Sequence, residues 1–332
     1  MPHSITANRQ ALRVTSFNAT HPIWRDEVVR AAPDQAVIEV DAASVGSTDV
    51  LARQGGYLLH PRPGFVSGYD LVGTVISSPD ARFSPGERVV AIMPRMGGHA
   101  THVAVDPKYL VRVPAQLGAE CAATIPLDGV TAKHALDMAG TSAKSILISG
   151  VSGPVGWLTA QLALSRGLRV AGTASAQYAD DLGAVGISVF DYHAPDWREK
   201  LAAECGPLDA IIDHTGEPAL NALVKPTGRM IRIAFSGTNG PTKAATFRGF
   251  TRTMLLSVAR PRERVCSTPL YAQFATAAYR RDLESVMSMV AKGALHPLPH
   301  HTYPAERVHE AFTHTQSRSK PVIVFRERTA SL

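Results

Sequence analysis

The 332-residue sequence is poor in cysteine, in aromatic residues and in long apolar runs, and each shortage removes a class of protein. Its three cysteines, Cys121, Cys205 and Cys266, are odd in number and far apart. They build neither a disulfide framework nor a four-thiolate zinc site, and they read as reduced, mostly buried thiols of a cytoplasmic protein. No apolar stretch approaches the roughly 18–20 residues of a membrane span. The opening Met1-Pro2-His3-Ser4-Ile5 has neither the basic flank nor the apolar core of a signal peptide, so the expected location is the cytoplasm, with no membrane partner. What is present is ordinary for a globular chain: 45% hydrophobic and 19% charged residues, which excludes disorder, collagen and coiled coil as descriptions of the whole. The length corresponds to about two domains.

Charge is modest in sum, 34 basic against 28 acidic residues for a net +6, but uneven. Between Lys225 and Arg264, Lys225, Arg229, Arg232, Lys243, Arg248, Arg252, Arg260, Arg262 and Arg264 are opposed by Glu263 alone. Such a field suits a phosphorylated ligand or an acidic partner; a solvated basic surface is the alternative. Nucleic acid is the poorer reading, because the stretch holds only Phe235 and Phe247 as aromatics and no stacking series.

Along the chain the apolar period changes twice. Residues 1–120 carry short β-branched segments, among them Ala36–Val40, Gly73–Ser77 and Arg88–Ile92, separated by turn signals such as Ser84-Pro85-Gly86-Glu87. They predict a compact β-rich unit. Cys121–Ala139 reads as a helix interrupted near Pro126 and Gly129. From Ser145 to about 270, strands and helices alternate, which predicts parallel βαβ units. After Arg264, Tyr271–Lys292 reads as one long amphipathic helix capped by Gly293. Ala305–His314 reads as a second helix and Pro321–Phe325 as a last strand. These elements do not extend the βαβ series, so 271–332 is expected to return to the first unit, leaving 121–270 as a doubly wound domain.

One loop carries chemistry. The apolar strand Ile146–Ser149 runs into Gly150-Val151-Ser152-Gly153-Pro154-Val155-Gly156 and then a helix. Between strand and helix, Gly150 permits a tight turn, Gly153 a close approach of backbone to a pyrophosphate, and Gly156 close helix packing. Pro154 suits a first helical turn, where its missing N–H costs nothing. Free N–H groups and the helix dipole would then meet phosphates. The next strand ends in Gly172-Thr173-Ala174-Ser175, with no carboxylate before Asp180. An NAD site usually places Asp or Glu there for the ribose 2′-hydroxyl, so the small polar end leaves room for a 2′-phosphate and favours NADPH.

Together these features resemble the medium-chain dehydrogenase/reductase superfamily, and within it the zinc-free quinone oxidoreductase and enoyl reductase branch. The resemblance runs over nearly the whole chain. It rests on Gly68-Tyr69-Asp70-Leu71-Val72-Gly73, Phe83-Ser84-Pro85-Gly86-Glu87-Arg88-Val89, Pro126-Leu127-Asp128-Gly129-Val130-Thr131-Ala132, the glycine loop, Asp213-His214-Thr215-Gly216 and Ser319-Lys320-Pro321-Val322. It implies an α/β chain with a GroES-like catalytic domain interrupted by a Rossmann domain. It also implies a homodimer joined near the last Rossmann strand, about Val265–Leu270.

In the zinc enzymes of the superfamily, metal ligands fall at the positions of Gly46, Tyr69 and Leu127, none of which binds zinc. No metal is therefore expected. His99 and His102, or His300 and His301, have no third ligand nearby in sequence and read as loop or surface residues. Without a Lewis acid, reduction of a conjugated C=C bond is the chemistry left open: hydride adds to the β-carbon and a donor protonates or stabilises the enolate. The resemblance places a tyrosine proton donor at Tyr57, with a packing role in the substrate wall as the alternative. It places Thr131, Gly46 and Ser47 near the nicotinamide. The branch often has Asn where this chain has Gly46, a loss that opens the pocket or loosens nicotinamide positioning. Ser152, Gly153, Pro154 and Val155 are expected at the pyrophosphate, and Thr173, Ser175, Tyr178 and Tyr192 toward the adenosine end. Thr215, Phe235 and Ser236 are expected on the nicotinamide side, because ligands gather at the carboxyl ends of parallel strands. Lys320 either reaches the cofactor or caps the last strand.

The expected activity is an NADPH-dependent reductase of an enone, an enoyl thioester or a quinone, its substrate free or carrier-bound. A biosynthetic cyclase or other non-redox enzyme on the same fold is the alternative, as is a nucleotide-binding partner of RNA or of a carrier protein.

Overall fold

The structure is a computed structural model that describes residues 6–19, 21–234, 242–259, 262–314 and 318–326. Its contacts divide the chain into two units, residues 1–130 with 268–332, and residues 131–267.

The first unit is β-rich. Its strands run β1 (Thr6–Val14), β2 (Ile23–Arg30), β3 (Ala36–Ser44), β4 (Phe65–Val66), β5 (Asp70–Ser77), β6 (Arg88–Ile92), β7 (His102–Val105) and β8 (Leu110–Arg112). A short helix α1 (Ser47–Arg53) follows β3, and α2 (Ala119–Ala123) and α3 (Ile125–Ala139) follow β8. Val89, Ala91, Leu110, Ile38 and Leu71 are fully buried in one apolar cluster of this unit. The helix expected over Cys121–Ala139 breaks at Thr124, not at Pro126. The Thr124 hydroxyl donates back to the Cys121 carbonyl at 2.8 Å, ending α2. Pro126 then falls in the first turn of α3, where no N–H is needed.

The second unit is a doubly wound sheet. It contains β9 (Ser145–Ser149), α4 (Pro154–Ser165), β10 (Arg169–Ala174), α5 (Ala179–Gly183), β11 (Ile187–Asp191) and α6 (Trp197–Cys205). Then come β12 (Leu208–Asp213), β13 (Val224–Arg232), α7 (Lys243–Ala259) and β14 (Glu263–Val265). Every pairing is parallel, in the order β11-β10-β9-β12-β13-β14. This is the Rossmann order, with its topological switch point between β9 and β12. β9 is buried at all five positions, as a central parallel strand must be. The last strand of the sheet is Glu263–Val265 rather than Val265–Leu270, since Pro269 offers no ladder N–H and sits in a helix that begins at Thr268.

The chain then returns to the first unit with α8 (Thr268–Phe274), α9 (Thr276–Ala291), β15 (His300–Pro304), α10 (Val308–Phe312) and β16 (Lys320–Val324). The single helix expected over Tyr271–Lys292 is two, because Ala275 leaves helical geometry at φ −131°. Gly293 follows the end of α9 with φ 69°. β16 pairs antiparallel with β3, so the larger sheet of the unit reads β15-β16-β3-β5-β6-β8, with β7 also on β3. Leu12 and Val45 from the early segment pack with Val308, Phe312 and Ile323 from the late one. Among the described residues, no helix is long and apolar enough to cross a membrane.

Candidate active site

The nucleotide loop sits at the carboxyl end of β9, beside the switch point. Gly150 turns with φ 67°, a conformation that disfavours a side chain. A Cβ on Gly156 would stand 2.3 Å from the Gly150 carbonyl oxygen, so only glycine lets α4 start this close to the loop. Gly153 is the N-cap of α4, no side chain caps it, and Pro154 is the first helical residue. Ser152 and Val155 lie half-buried on either side. Thr173, on the neighbouring strand β10, fixes the loop: its hydroxyl accepts from the Gly150 N–H at 3.1 Å, and its carbonyl accepts from the Val151 N–H at 3.0 Å. An uncapped helix start behind an open glycine turn fits a pyrophosphate.

At the far end of β10, the Ser175 hydroxyl lies 3.0 Å from that of Tyr192, and Tyr178 closes a short turn before α5. Asp180 lies within α5, beyond the strand end. Across the switch point, the Asp213 carboxylate collects the Ser149 hydroxyl at 3.2 Å, the Thr215 N–H at 2.8 Å and the Thr215 hydroxyl at 2.7 Å. Thr215 is thereby held at the end of β12. Phe235 and Ser236 lie outside the described residues.

The basic stretch is partly consumed by structure. Arg232 is buried and donates to Asp213 and Glu263. Lys225 pairs with Asp209 at 2.6 Å, and Arg229 donates to the Met138 carbonyl at 2.9 Å. The apparent excess of positive charge in sequence is therefore smaller in space.

In the first unit, Gly46 precedes α1 and Ser47 opens it, exposed. Asp49, in the first turn, accepts from the Gly46 N–H at 2.8 Å through Oδ2 and from the Gly68 N–H at 2.9 Å through Oδ1. Tyr57 follows the helix in a loop, half-buried, with its hydroxyl 2.7 Å from that of Tyr69. The two rings meet edge to face, while His60 stacks on Tyr57. Burial pushes the Tyr57 phenol up to about 12, against the pull of the Tyr69 hydrogen bond. Burial raises Tyr69 further still, with the charges around it adding to the effect.

Behind this pair lies a buried charge cluster that the sequence reading did not assemble. Lys320, the first residue of β16, donates to Asp128 at 2.6 Å and is 4% exposed. Burial pulls its ammonium down, but Asp128, Asp70 and Asp49 outweigh that and the net shift is upward. Burial lifts the Asp70 carboxyl well above the usual range, with Asp128 adding to it, and Asp70 accepts from the Ser44 hydroxyl at 3.2 Å. A Cβ on Gly46 would stand 3.5 Å from the Lys320 ammonium nitrogen and from the Asp49 carboxylate. The absent side chain therefore leaves room beside a buried cation.

Tyr69, Leu127 and Gly46 are each buried, and none offers a zinc ligand. His99 is buried too, its ring engaged by the Ser67 hydroxyl and the Ser44 carbonyl, each at 2.9 Å. His300 and His301 are exposed on β15. Among the described residues, no group of three or more His, Cys, Asp or Glu side chains is placed to hold a metal. Thr131, on α3, is buried in the second unit.

Comparison with known proteins agrees with this architecture. Residues 32–115 match the alcohol dehydrogenase GroES-like domain, and residues 182–321 match the zinc-binding dehydrogenase model. The quinone oxidoreductase of Lama guanicoe is 25% identical over 95% of this chain and 97% of its own length. A zinc-type alcohol dehydrogenase-like protein of Staphylococcus aureus is 30% identical over 69% of this chain and 72% of its own. The polyketide synthase GfsB of Streptomyces halstedii is 27% identical over 88% of this chain, which spans 5% of that synthase. The solved structure of the JamJ enoyl reductase superposes with a TM-score of 0.81 at 21% identity, covering 96% of this chain and 99% of that one. The fold and site thus define a two-unit, nucleotide-binding oxidoreductase. The chain belongs to the medium-chain dehydrogenase/reductase superfamily, in its quinone oxidoreductase and enoyl reductase-like branch.

Proposed function

We propose that this chain is an NADPH-dependent, zinc-independent reductase of an activated C=C bond, in an enone or an enoyl thioester, or of a quinone. The observation that carries the reading is the Tyr57 hydroxyl, held at 2.7 Å by Tyr69 in the loop where the family resemblance implies a proton donor. When bound, the reduced nicotinamide supplies a hydride. Ser152, Gly153, Pro154 and Val155 would hold its pyrophosphate, and Thr131, Thr215, Gly46 and Ser47 would border its reactive ring. The choice of NADPH rests on the end of β10, where Ala174 and the Ser175 that follows it bring no carboxylate to compete with a 2′-phosphate. Lys320, paired with Asp128 at 2.6 Å, would either reach the cofactor or hold the start of the last strand.

The test is cofactor consumption with a panel of enones, quinones and enoyl thioesters, run with NADPH and with NADH. NADPH is expected to bind more tightly, and one activated alkene or quinone to be turned over. On that substrate, Tyr57→Phe should lower turnover roughly tenfold to a hundredfold while leaving NADPH affinity unchanged. Tighter NADH binding would remove the argument from Ser175. Full turnover in the Phe variant would remove Tyr57 from the chemistry. A panel with no substrate-dependent oxidation would favour a non-redox biosynthetic enzyme.

The second element of the proposal is assembly. β14 ends the described sheet with an open edge, a template for strand pairing. A homodimer through that edge is expected; a monomer mass by light scattering at micromolar protein would refute it.

A further inference from the structure

We propose that Tyr69 is the positioning residue for Tyr57: its buried hydroxyl donates a hydrogen bond to the Tyr57 oxygen and stabilises the phenolate left when Tyr57 gives up its proton. This rests on the reading of Tyr57 as a proton donor.

The two hydroxyls are 2.7 Å apart, and either oxygen can be the donor. Their surroundings break the tie. Tyr57 is half-buried in the loop after α1, whereas Tyr69 is 1% exposed. Of the two, Tyr57 is the one with surface left open to a substrate. Tyr69 is fixed from behind, since its carbonyl accepts the Met93 N–H at 2.7 Å and its chain continues directly into β5. Asp49 is turned toward the backbone, its two oxygens accepting from the Gly46 and Gly68 N–H groups. The carboxyl groups of Asp49 and Asp70 near Tyr69 oppose its ionisation. Tyr69 therefore keeps its proton and can direct it at Tyr57. A hydrogen bond to an ionised oxygen is stronger than one to a neutral hydroxyl, so the contact tightens as charge develops. That is the differential binding catalysis needs.

The proton transfer balances. With a hydride supplied to the β-carbon by a bound cofactor, the substrate would stand as an enolate. The Tyr57 O–H bond breaks as a C–H bond forms at the α-carbon, and its electron pair stays on the Tyr57 oxygen. Tyr69 retains its own proton throughout, and water returns a proton to Tyr57.

The experiment compares Tyr57→Phe, Tyr69→Phe and the double variant with the wild type on one enone. Tyr69→Phe should lower kcat by about threefold to tenfold, with KM for enone and NADPH unchanged. In the Tyr57→Phe background, removing the second hydroxyl should cost nothing more, because there is no phenolate left to stabilise. A second readout needs neither substrate nor cofactor. In NMR of isotope-labelled tyrosine, the Tyr57 resonance is assigned by its loss in Tyr57→Phe. Its alkaline titration should move to higher pH in Tyr69→Phe. His60 and Asp49, the other titratable groups beside Tyr57, are the same in both proteins. A wild-type kcat in Tyr69→Phe, an unmoved titration, or losses that multiply in the double variant would overturn the pairing. Full turnover in Tyr57→Phe would overturn the reading beneath it as well, and so the two failures are distinguishable.

Discussion

Arg232→Met is expected to lower the melting temperature of the protein by roughly 10 °C. Arg232 is 4% exposed and ties three neighbouring strands of the parallel sheet together. From the end of β13 it donates through Nη1 to Asp213 of β12, through Nε to Glu263 of β14 at 3.0 Å, and to the Glu217 carbonyl at 2.9 Å. Methionine fills much of the same volume but leaves two buried carboxylates facing each other with no cation. Breaking one buried pair costs about 3–5 kcal/mol, and a domain of this size loses about 2–4 °C per kcal/mol. Cofactor affinity should fall too, because Asp213 also holds Thr215. Adding Asp213→Asn and Glu263→Gln should restore most of the stability, since the loss comes from uncompensated charge and not from volume. Thermal unfolding followed by circular dichroism checks this. A single variant melting within about 2 °C of the wild type would show that the triad is not the clamp it resembles.

Lys320→Met should be comparably damaging, at about 3–5 kcal/mol, for the same reason in the other unit. The Asp128 carboxylate would lose its partner at 2.6 Å, close to a second buried carboxyl in Asp70. The matched variant, Lys320→Met with Asp128→Asn, replaces ion with neutral groups and should recover most of the loss. Lys320→Arg keeps the charge beside Asp128, and the room that Gly46 leaves next to the ammonium admits the larger head group, so it should retain most of the stability that Lys320→Met loses. Unfolding in urea separates the three variants by midpoint. Equal midpoints for Lys320→Met and the matched pair would sink the charge argument.

Much of the architecture is legible in the sequence because it is written locally. Ile146–Ser149 followed by the glycine loop predicts β9 and the start of α4 to within a residue, since the apolar run and the turn chemistry agree. The helix break expected near Pro126 falls two residues earlier, at Thr124, where a hydroxyl turns back on the Cys121 carbonyl. The break at Ala275 is not legible in this way, because helical periodicity runs straight through it and backbone geometry records the interruption. Near the candidate site, Tyr57 and Thr215 are proposed from sequence because they lie in recognisable segments. Tyr69 could be seen only as a missing metal ligand. Its partnership with Tyr57 spans 12 residues and depends on how the loop after α1 folds back. The pairing of Lys320 with Asp128 spans 192 residues and leaves no local trace at all. The basic run from Lys225 misleads for the converse reason: the acids that neutralise Arg232 and Lys225 include Asp213 and Asp209, which precede the run and meet it only across the sheet.

The position of β16 inside the larger sheet of the first unit sets an order on biosynthesis. Residues 131–267 have left the ribosome, with every strand of their sheet, well before Lys320–Val324 are translated. The first unit cannot finish until then, because β15 meets β3 only through β16. Early segments such as Leu12 and Val45 must wait for Phe312 and Ile323 to complete their cluster. Closing that circuit carries a loop-entropy cost that the local contacts of the second unit do not face. The carboxyl groups of Asp70 and Asp128 also wait, without their cation, until the last strand arrives. A stalled or truncated nascent chain would therefore carry a finished nucleotide-binding unit beside an open, unneutralised sheet. Quality-control proteases are expected to recognise the second and not the first.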